Sequence, residues 1–245
     1  MVFLFLFFKA LYKECMTLKV NVKKNLDGFN LDINFAIDNG LTVLFGQSGA
    51  GKSITLKIIV GLLTADEGEI VLDEKKLFCS STKINLSPQD RFISYIFQNH
   101  ALFPHLTVLE NIIYGAKRYE KKHRQMLAKE VIEKFKIENI SHKYPHQISG
   151  GQQQKVVFAR TIISKPRAIL LDEPFSALDT TTRTEMRAHL KIIQKELDIP
   201  TIFVTHDMYE VCSLADTMLV IANGQITQKE SLPQTCHEIT TLPQL

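Results

Sequence analysis

Residues 41–53 constrain this chain more than any other stretch. Leu41 to Phe45 is a continuous apolar run, as expected of a strand buried on both faces of a parallel sheet. It feeds directly into Gly46, Gln47, Ser48, Gly49, Ala50, Gly51, Lys52 and Ser53, which fit the phosphate-loop pattern at every fixed position. Glycines let backbone N–H groups curl around phosphate oxygens without a Cβ clash. Residues 53–63 then read as a helix, stopped near Gly61 and Gly68, whose N-terminus points at the same charge. Lys52 can neutralise the β and γ phosphates, and Ser53 can ligate Mg²⁺.

A second apolar run, Ala168 to Leu171, ends in two carboxylates, Asp172 and Glu173. The carboxyl edge of a parallel sheet is where such folds place ligands. Adjacent residues point in different directions, so two acids can do two jobs. Asp172 can hold the shell of a Mg²⁺ ion, and Glu173 can orient and polarise an attacking water. Without a phosphate loop upstream, an exposed acidic turn before Pro174 would explain the pair equally well. Between these motifs lies Ile148-Ser149-Gly150-Gly151-Gln152. Alone it is a polar, glycine-bearing loop, but Ser and Gly at a helix start also offer donors to an anion.

The remaining pattern is α/β. Leu18 to Val22 and Phe29 to Phe35 alternate apolar and polar residues as half-buried strands do, residues 38–40 signal a turn, and Glu69 to Leu72 is another short strand. Residues 99–149 are mainly helical and polar, amphipathic over 130–137, and are expected to form an inserted helical subdomain. Strands at 168–171 and 201–204 flank a helical stretch from Thr182 to Leu197, which predicts a mostly parallel sheet. One domain is expected over 16–230. Residues after Gly224 read as a terminal appendage, with a short tail over 231–245. Met1 to Phe8 is strongly apolar but has no basic n-region, and Met16 directly precedes the first strand. Residues 1–15 are therefore expected to be an extension ahead of the true start, with a membrane-adhering segment as the alternative.

In this order the motifs resemble those of the ATPase subunits of ATP-binding cassette (ABC) transporters, from about residue 17 to about 230. The resemblance implies a P-loop NTPase of the ABC ATPase type. Its mostly parallel core sheet would carry an N-terminal antiparallel β subdomain and the helical insertion, and its ligands would be ATP and Mg²⁺. Ser149, Gly150, Gly151 and Gln152 match the family signature, which contacts the γ-phosphate from the opposite subunit. Ser176 to Asp179 matches the loop that crosses the dimer interface. Gln98 matches the loop that senses Mg²⁺ and water and links to the membrane subunit. His206, one residue beyond an apolar strand, matches the switch histidine. Lys52, Gln98, Glu173 and His206 form the implied catalytic set, and Ser53, Gln98 and Asp172 the implied metal set. Ile148 stands where leucine is usual and Lys155 where arginine is common, and both preserve character. Phe29 is the candidate for stacking on adenine, although its alternating strand places it equally well in the core.

Leu102 to Asn111 resembles the segment after the glutamine loop in bacterial importers of oxyanions, polyamines, iron and sugars. Leu44 to Ser53 and the compact N-terminal strands are most similar to molybdate or tungstate importers. This implies a second copy in a head-to-tail dimer, membrane permease subunits, indirectly a solute-binding protein, and a peripheral place on the cytoplasmic face of the inner membrane. Phe103, Leu106 and Val108 are expected at a permease groove or in packing within the insertion. The stretch after His206 is too short for the β-barrel regulatory domain many members carry, so that domain is expected to be absent or encoded elsewhere.

The alternatives are an importer of sulfate, iron, polyamine or sugar, and a soluble cassette ATPase of translation or DNA repair. The latter usually shows two cassettes or a long coiled-coil insertion. A regulator without turnover is disfavoured by Glu173 and His206. The net charge of +3 is too small to argue for nucleic acid. Cysteines 15, 79, 212 and 236 have no metal-like spacing and suit reduced cytosolic thiols. No segment approaches the roughly 20 apolar residues that span a bilayer.

Overall fold

Alternation builds the first part of the sheet. β1 (Leu18–Leu26) and β2 (Phe29–Ile37) pair antiparallel and turn Leu18, Val20, Val22, Leu31, Ile33 and Phe35 into the core. Strand side chains repeat every second residue, so the intervening Lys and Asn face outward. The computed structural model describes residues 16–97, 101–176 and 178–232, and the expected extension over 1–15 and most of the tail lie outside them. The free edge of β1 pairs antiparallel with β4 (Glu67–Leu72), followed by β5 (Lys75–Cys79) and β6 (Ile84–Asn85).

Alternation disappears where both faces are covered. β3 (Gly40–Phe45), β8 (Ala168–Asp172), β9 (Pro200–Thr205) and β10 (Thr217–Ala222) are buried along nearly their whole length and pair in parallel. With β7 (Ile93–Ile96) and β11 (Gln225–Ser231), the described strands form one sheet of order β6-β5-β4-β1-β2-β11-β10-β3-β9-β8-β7. The appendage expected after Gly224 is thus corrected. β11 lies inside the sheet, antiparallel to β10 and beside β2, and joins the two blocks. Its residues are mostly exposed, so its place is set by backbone pairing rather than by an apolar pattern.

Helix α1 (Lys52–Val60) follows β3 and ends at Gly61, which adopts the left-handed φ of 89°. Arg91 caps that end. The residue is 1% exposed, and its guanidinium donates to the carbonyls of Ile58, Ile59 and Leu86. The last carbonyls of a helix have no partner within it and carry partial negative charge, so a buried cation is tolerated there.

The described chain divides into two compact units. The first holds the segments up to Tyr95, Arg167–Asp172 and from Gln194 onward, and so most of the sheet and α1. The second, Ile96–Pro166 with Glu173–Ile193, is helical and contains the expected insertion over 99–149. It carries α2 (Val108–Gly115), α3 (Lys121–Phe135), α4 (Gly150–Ile163) and most of α5 (Thr180–Leu197). α3 buries Leu127, Ala128, Val131, Ile132 and Phe135, one stripe of a basic helix, which agrees with a solvated opposite face. Thr107 and Glu110 form a capping box at the start of α2, and the buried Asn111 amide clamps the carbonyls of Phe103, Leu106 and Thr107. Val108 is fully buried, whereas Phe103 and Leu106 are half-buried.

Candidate functional site

Sheet register brings three motifs to one edge. Phe45, the residue before Gly46, pairs with Thr205, the residue before His206. Asp172 pairs with Val204. The phosphate-type loop, the carboxylate and the histidine therefore leave β3, β8 and β9 at the same carboxyl end.

The loop is shaped for an anion. Gly51 begins α1 with a φ of 106° and no side-chain cap, so the helix N-terminus opens onto the loop. A Cβ on Gly51 would stand 2.7 Å from Leu31 Cδ1 and 3.1 Å from Phe29 Cζ, and one on Gly46 would stand 2.3 Å from the Ile221 carbonyl oxygen. Only glycine lets the backbone pass this close. Lys52 is 6% exposed, and its ammonium donates to the carbonyls of Gly46 (2.7 Å) and Gln47 (2.8 Å) inside the loop. These carbonyl dipoles hold the cation where a phosphate would supply full countercharge. Gln47, Ser48 and Gly49 are exposed at the loop's crest, and Ala50 is buried beneath it. Phe29 is half-buried and packs on the core with its ring edge at Gly51, so it borders the loop through packing.

Asp172 is held from two sides. Ser53 Oγ donates to Oδ1 at 2.8 Å, and Tyr95 Oη donates to Oδ2 at 2.7 Å. Burial, together with that carboxylate, pushes the Tyr95 phenol far above its usual range and keeps it a donor. No group of three or more His, Cys, Asp or Glu suited to a metal occurs among the described residues. A hydroxyl and one carboxylate beside a phosphate cradle instead match how Mg²⁺ is held, with phosphate oxygens and water completing its shell.

The histidine loop is anchored from below. Thr205 is buried, donates its hydroxyl to the buried Glu210 carboxylate and accepts the Asp207 N–H. Asp207 then caps α6 (Met208–Leu214) by accepting from Tyr209 N–H, and His206 is left exposed between these anchors. Glu173 has a left-handed φ of 45°, uncommon outside glycine, and its carbonyl accepts from the Ser176 N–H and hydroxyl. Gln98 lies outside the described residues.

In the second unit the signature residues organise their own helix start. Ser149 caps α4, its Oγ accepting from Gln152 N–H while Gln152 Oε1 accepts from Ser149 N–H. Ser149 and Gly150 stay exposed. A Cβ on Gly151 would come within 2.4 Å of Thr182 Cγ2, so any larger residue must displace Thr182 where α4 meets the start of α5. Asp179 accepts from both the Thr182 N–H (3.0 Å) and hydroxyl (2.6 Å), which holds its carboxyl below the usual carboxylate range. Gly151, Thr182 and Asp179 thus form one continuous contact.

Residues 30–176 match the family model described as ABC transporter. The chain belongs to the ABC transporter family. The ABC fold is seen in a solved relative, a dimeric post-hydrolysis state of the ATP-binding cassette MJ0796 bound to ADP and Pi. That structure is 28% identical, has a TM-score of 0.74, and is matched over 89% of this chain and 99% of that one. The molybdate/tungstate import ATP-binding protein WtpC of Archaeoglobus fulgidus is 38% identical over 219 residues, 89% of each chain. The molybdenum import ATP-binding protein ModC of Haemophilus ducreyi is 39% identical over 85% of this chain, which spans 59% of that protein. The spermidine/putrescine import ATP-binding protein PotA of Clostridioides difficile is 41% identical over 83% of this chain, which spans 56% of it. Within this ABC chain, Tyr95, Arg91 and Glu210 are buttresses that the motif reading did not find. Only Glu210, four residues past His206 on the first turn of α6, had a local signal.

Proposed function

We propose that this chain is the ATP-hydrolysing subunit of an ABC importer for molybdate or tungstate. The observation that carries the ATPase reading is the shared edge of β3, β8 and β9, with Lys52 inside the glycine loop and Ser53 bonded to Asp172. Gly46 to Ser53 bind the phosphates, and Lys52 exchanges loop carbonyls for β and γ oxygens. Ser53 and Asp172 hold Mg²⁺, which when bound offsets charge on the phosphate oxygens. Glu173 orients the attacking water, and His206 contacts the γ-phosphate from the end of β9. Gln98 keeps its assigned role on the resemblance alone, as does Phe29 against adenine.

Ser149, Gly150, Gly151, Gln152 and Asp179 serve the nucleotide of a second copy. Each copy then offers both halves, so a two-fold dimer closes over two ATP molecules. The exposure of Ser149 and Gly150, whose capping bonds leave the hydroxyl proton available, supports that assignment. No helix among the described residues is long and apolar enough to cross a membrane. A permease supplies the pathway, with this subunit on its cytoplasmic face and a solute-binding protein delivering solute from outside.

Glu173→Gln tests the ATPase. It should bind ATP, accumulate as a dimer and lose turnover by about 10²–10⁴-fold. Near-normal steady-state hydrolysis would remove Glu173 from its role. Solute is tested in cells, where deleting the gene should lower molybdenum or tungsten at scarce external oxyanion. The 41% identity to a polyamine import protein favours a second reading, polyamine uptake, which loss of polyamine with unchanged metal content would select.

A further inference from the structure

We propose that Tyr95 is a positioning residue for Mg²⁺, fixing the Asp172 carboxylate so that the outer shell of the ion is preset before nucleotide arrives. The inference rests on the nucleotide reading above. Asp172 ends β8 with its side chain free, by covalent geometry, to rotate about two bonds. Two donors remove that freedom. Ser53 Oγ comes from the first turn of α1, and Tyr95 Oη comes from β7. They grip different oxygens of one carboxylate, so its plane is defined as well as its position. An ionised carboxylate has about four acceptor directions, and two stay available for metal-bound water.

The lever arm is stiff. The Tyr95 ring is half-buried and packs against the core that also includes Leu170, Ile202 and Val204. A phenol has no amine-like flexible stem, so fixing the ring fixes the hydroxyl. The bond spans 77 sequence positions, and it ties the metal-side carboxylate to β7. Ser53 is itself a metal ligand in the reading above. Tyr95 touches neither metal nor phosphate in that reading, and the Asp172 carboxylate is the route by which it would act. Removing such an outer partner typically weakens metal affinity by about 10–100-fold.

Tyr95→Phe in the full chain removes one oxygen and keeps the ring. Affinity for a non-hydrolysable ATP analogue is measured by calorimetry in EDTA and across a Mg²⁺ titration, with thermal melts alongside. Expected are metal-free nucleotide affinity within about twofold of wild type and a Mg²⁺ half-saturation raised about 10-fold. The effect should vanish in an Asp172→Asn background, because coupled residues are non-additive. Should the variant not fold, fluorotyrosine at position 95 keeps the hydroxyl. Its fluorine resonance should then shift with Mg²⁺ plus analogue and stay put with analogue in EDTA. Unchanged Mg²⁺ half-saturation with a lowered melting temperature would reduce Tyr95 to packing and overturn the inference. So would loss of metal-free nucleotide binding, a full effect persisting in Asp172→Asn, or a fluorine resonance blind to Mg²⁺. If wild type itself shows no Mg²⁺-dependent nucleotide binding, the functional reading falls first and takes the inference with it.

Discussion

One carboxylate in each unit is held in an opposite way. In the first, the Asp172 carboxylate is held by partners distant in sequence, Ser53 and Tyr95. In the second, the signature start and Asp179 are held within three positions, by the Ser149–Gln152 box and the Asp179–Thr182 pair. A long-range network builds a cradle whose shape depends on the whole sheet. Local caps fix a helix start with residues from one short stretch, and only the packing of Gly151 on Thr182 reaches further. Under the function proposed above, the first would serve a ligand of its own chain and the second a partner copy.

Breaking the cradle should give the largest effect. Lys52→Ala removes the buried ammonium and should cost about 2–5 kcal/mol of nucleotide binding by the monomer, read by calorimetry. Arg91→Met comes next. It leaves the carbonyls of Ile58, Ile59 and Leu86 without their cation and should destabilise the fold by at least about 3 kcal/mol in urea unfolding. Gly151→Val sharpens the contrast from the other side. It must push Thr182 aside, costing about 1–3 kcal/mol, and should abolish ATP-driven dimerisation while monomer binding stays intact. Loss of monomer binding in that variant would break the division of labour.

The smallest effect concerns Asp179. Hydrogen bonds from Thr182 depress its folded pKa, so the ionised form stabilises the fold above the unfolded value of about 3.9. That contribution fades as pH falls through the lower folded value. The melting-temperature gap between wild type and Asp179→Asn should therefore shrink as pH drops below about 4. A gap constant with pH would mean that the carboxylate's charge is irrelevant to the cap.

Legibility followed the same division. The glycine loop, the Asp172–Glu173 pair and the Ser149–Gln152 start were readable because each is a contiguous string with its own chemistry. β3, β8 and β9 were readable because burial on both faces erases alternation, whereas β10, equally buried and parallel to β3, was not read. Tyr95 and Arg91 were not, since a tyrosine in β7 and an arginine ahead of it gain meaning only from partners elsewhere in the fold. Phe29 kept both readings open in sequence, and its ring lies on the core and at the loop at once. β11 was misread because its side chains are mostly exposed and backbone pairing leaves no apolar trace.

That strand also orders events during synthesis. β2 emerges early and pairs with β1 at once, but its other edge waits for β11, nearly two hundred residues later in the chain. Until then that edge lacks the contact that Asp32 makes with Gly224 and Gln225, and an open edge can recruit stray strands. Assembly of the sheet is therefore completed late and by a long-range contact, a topology that folds slowly. That seam between β2 and β11 can close only after nearly the whole of the sheet has been made.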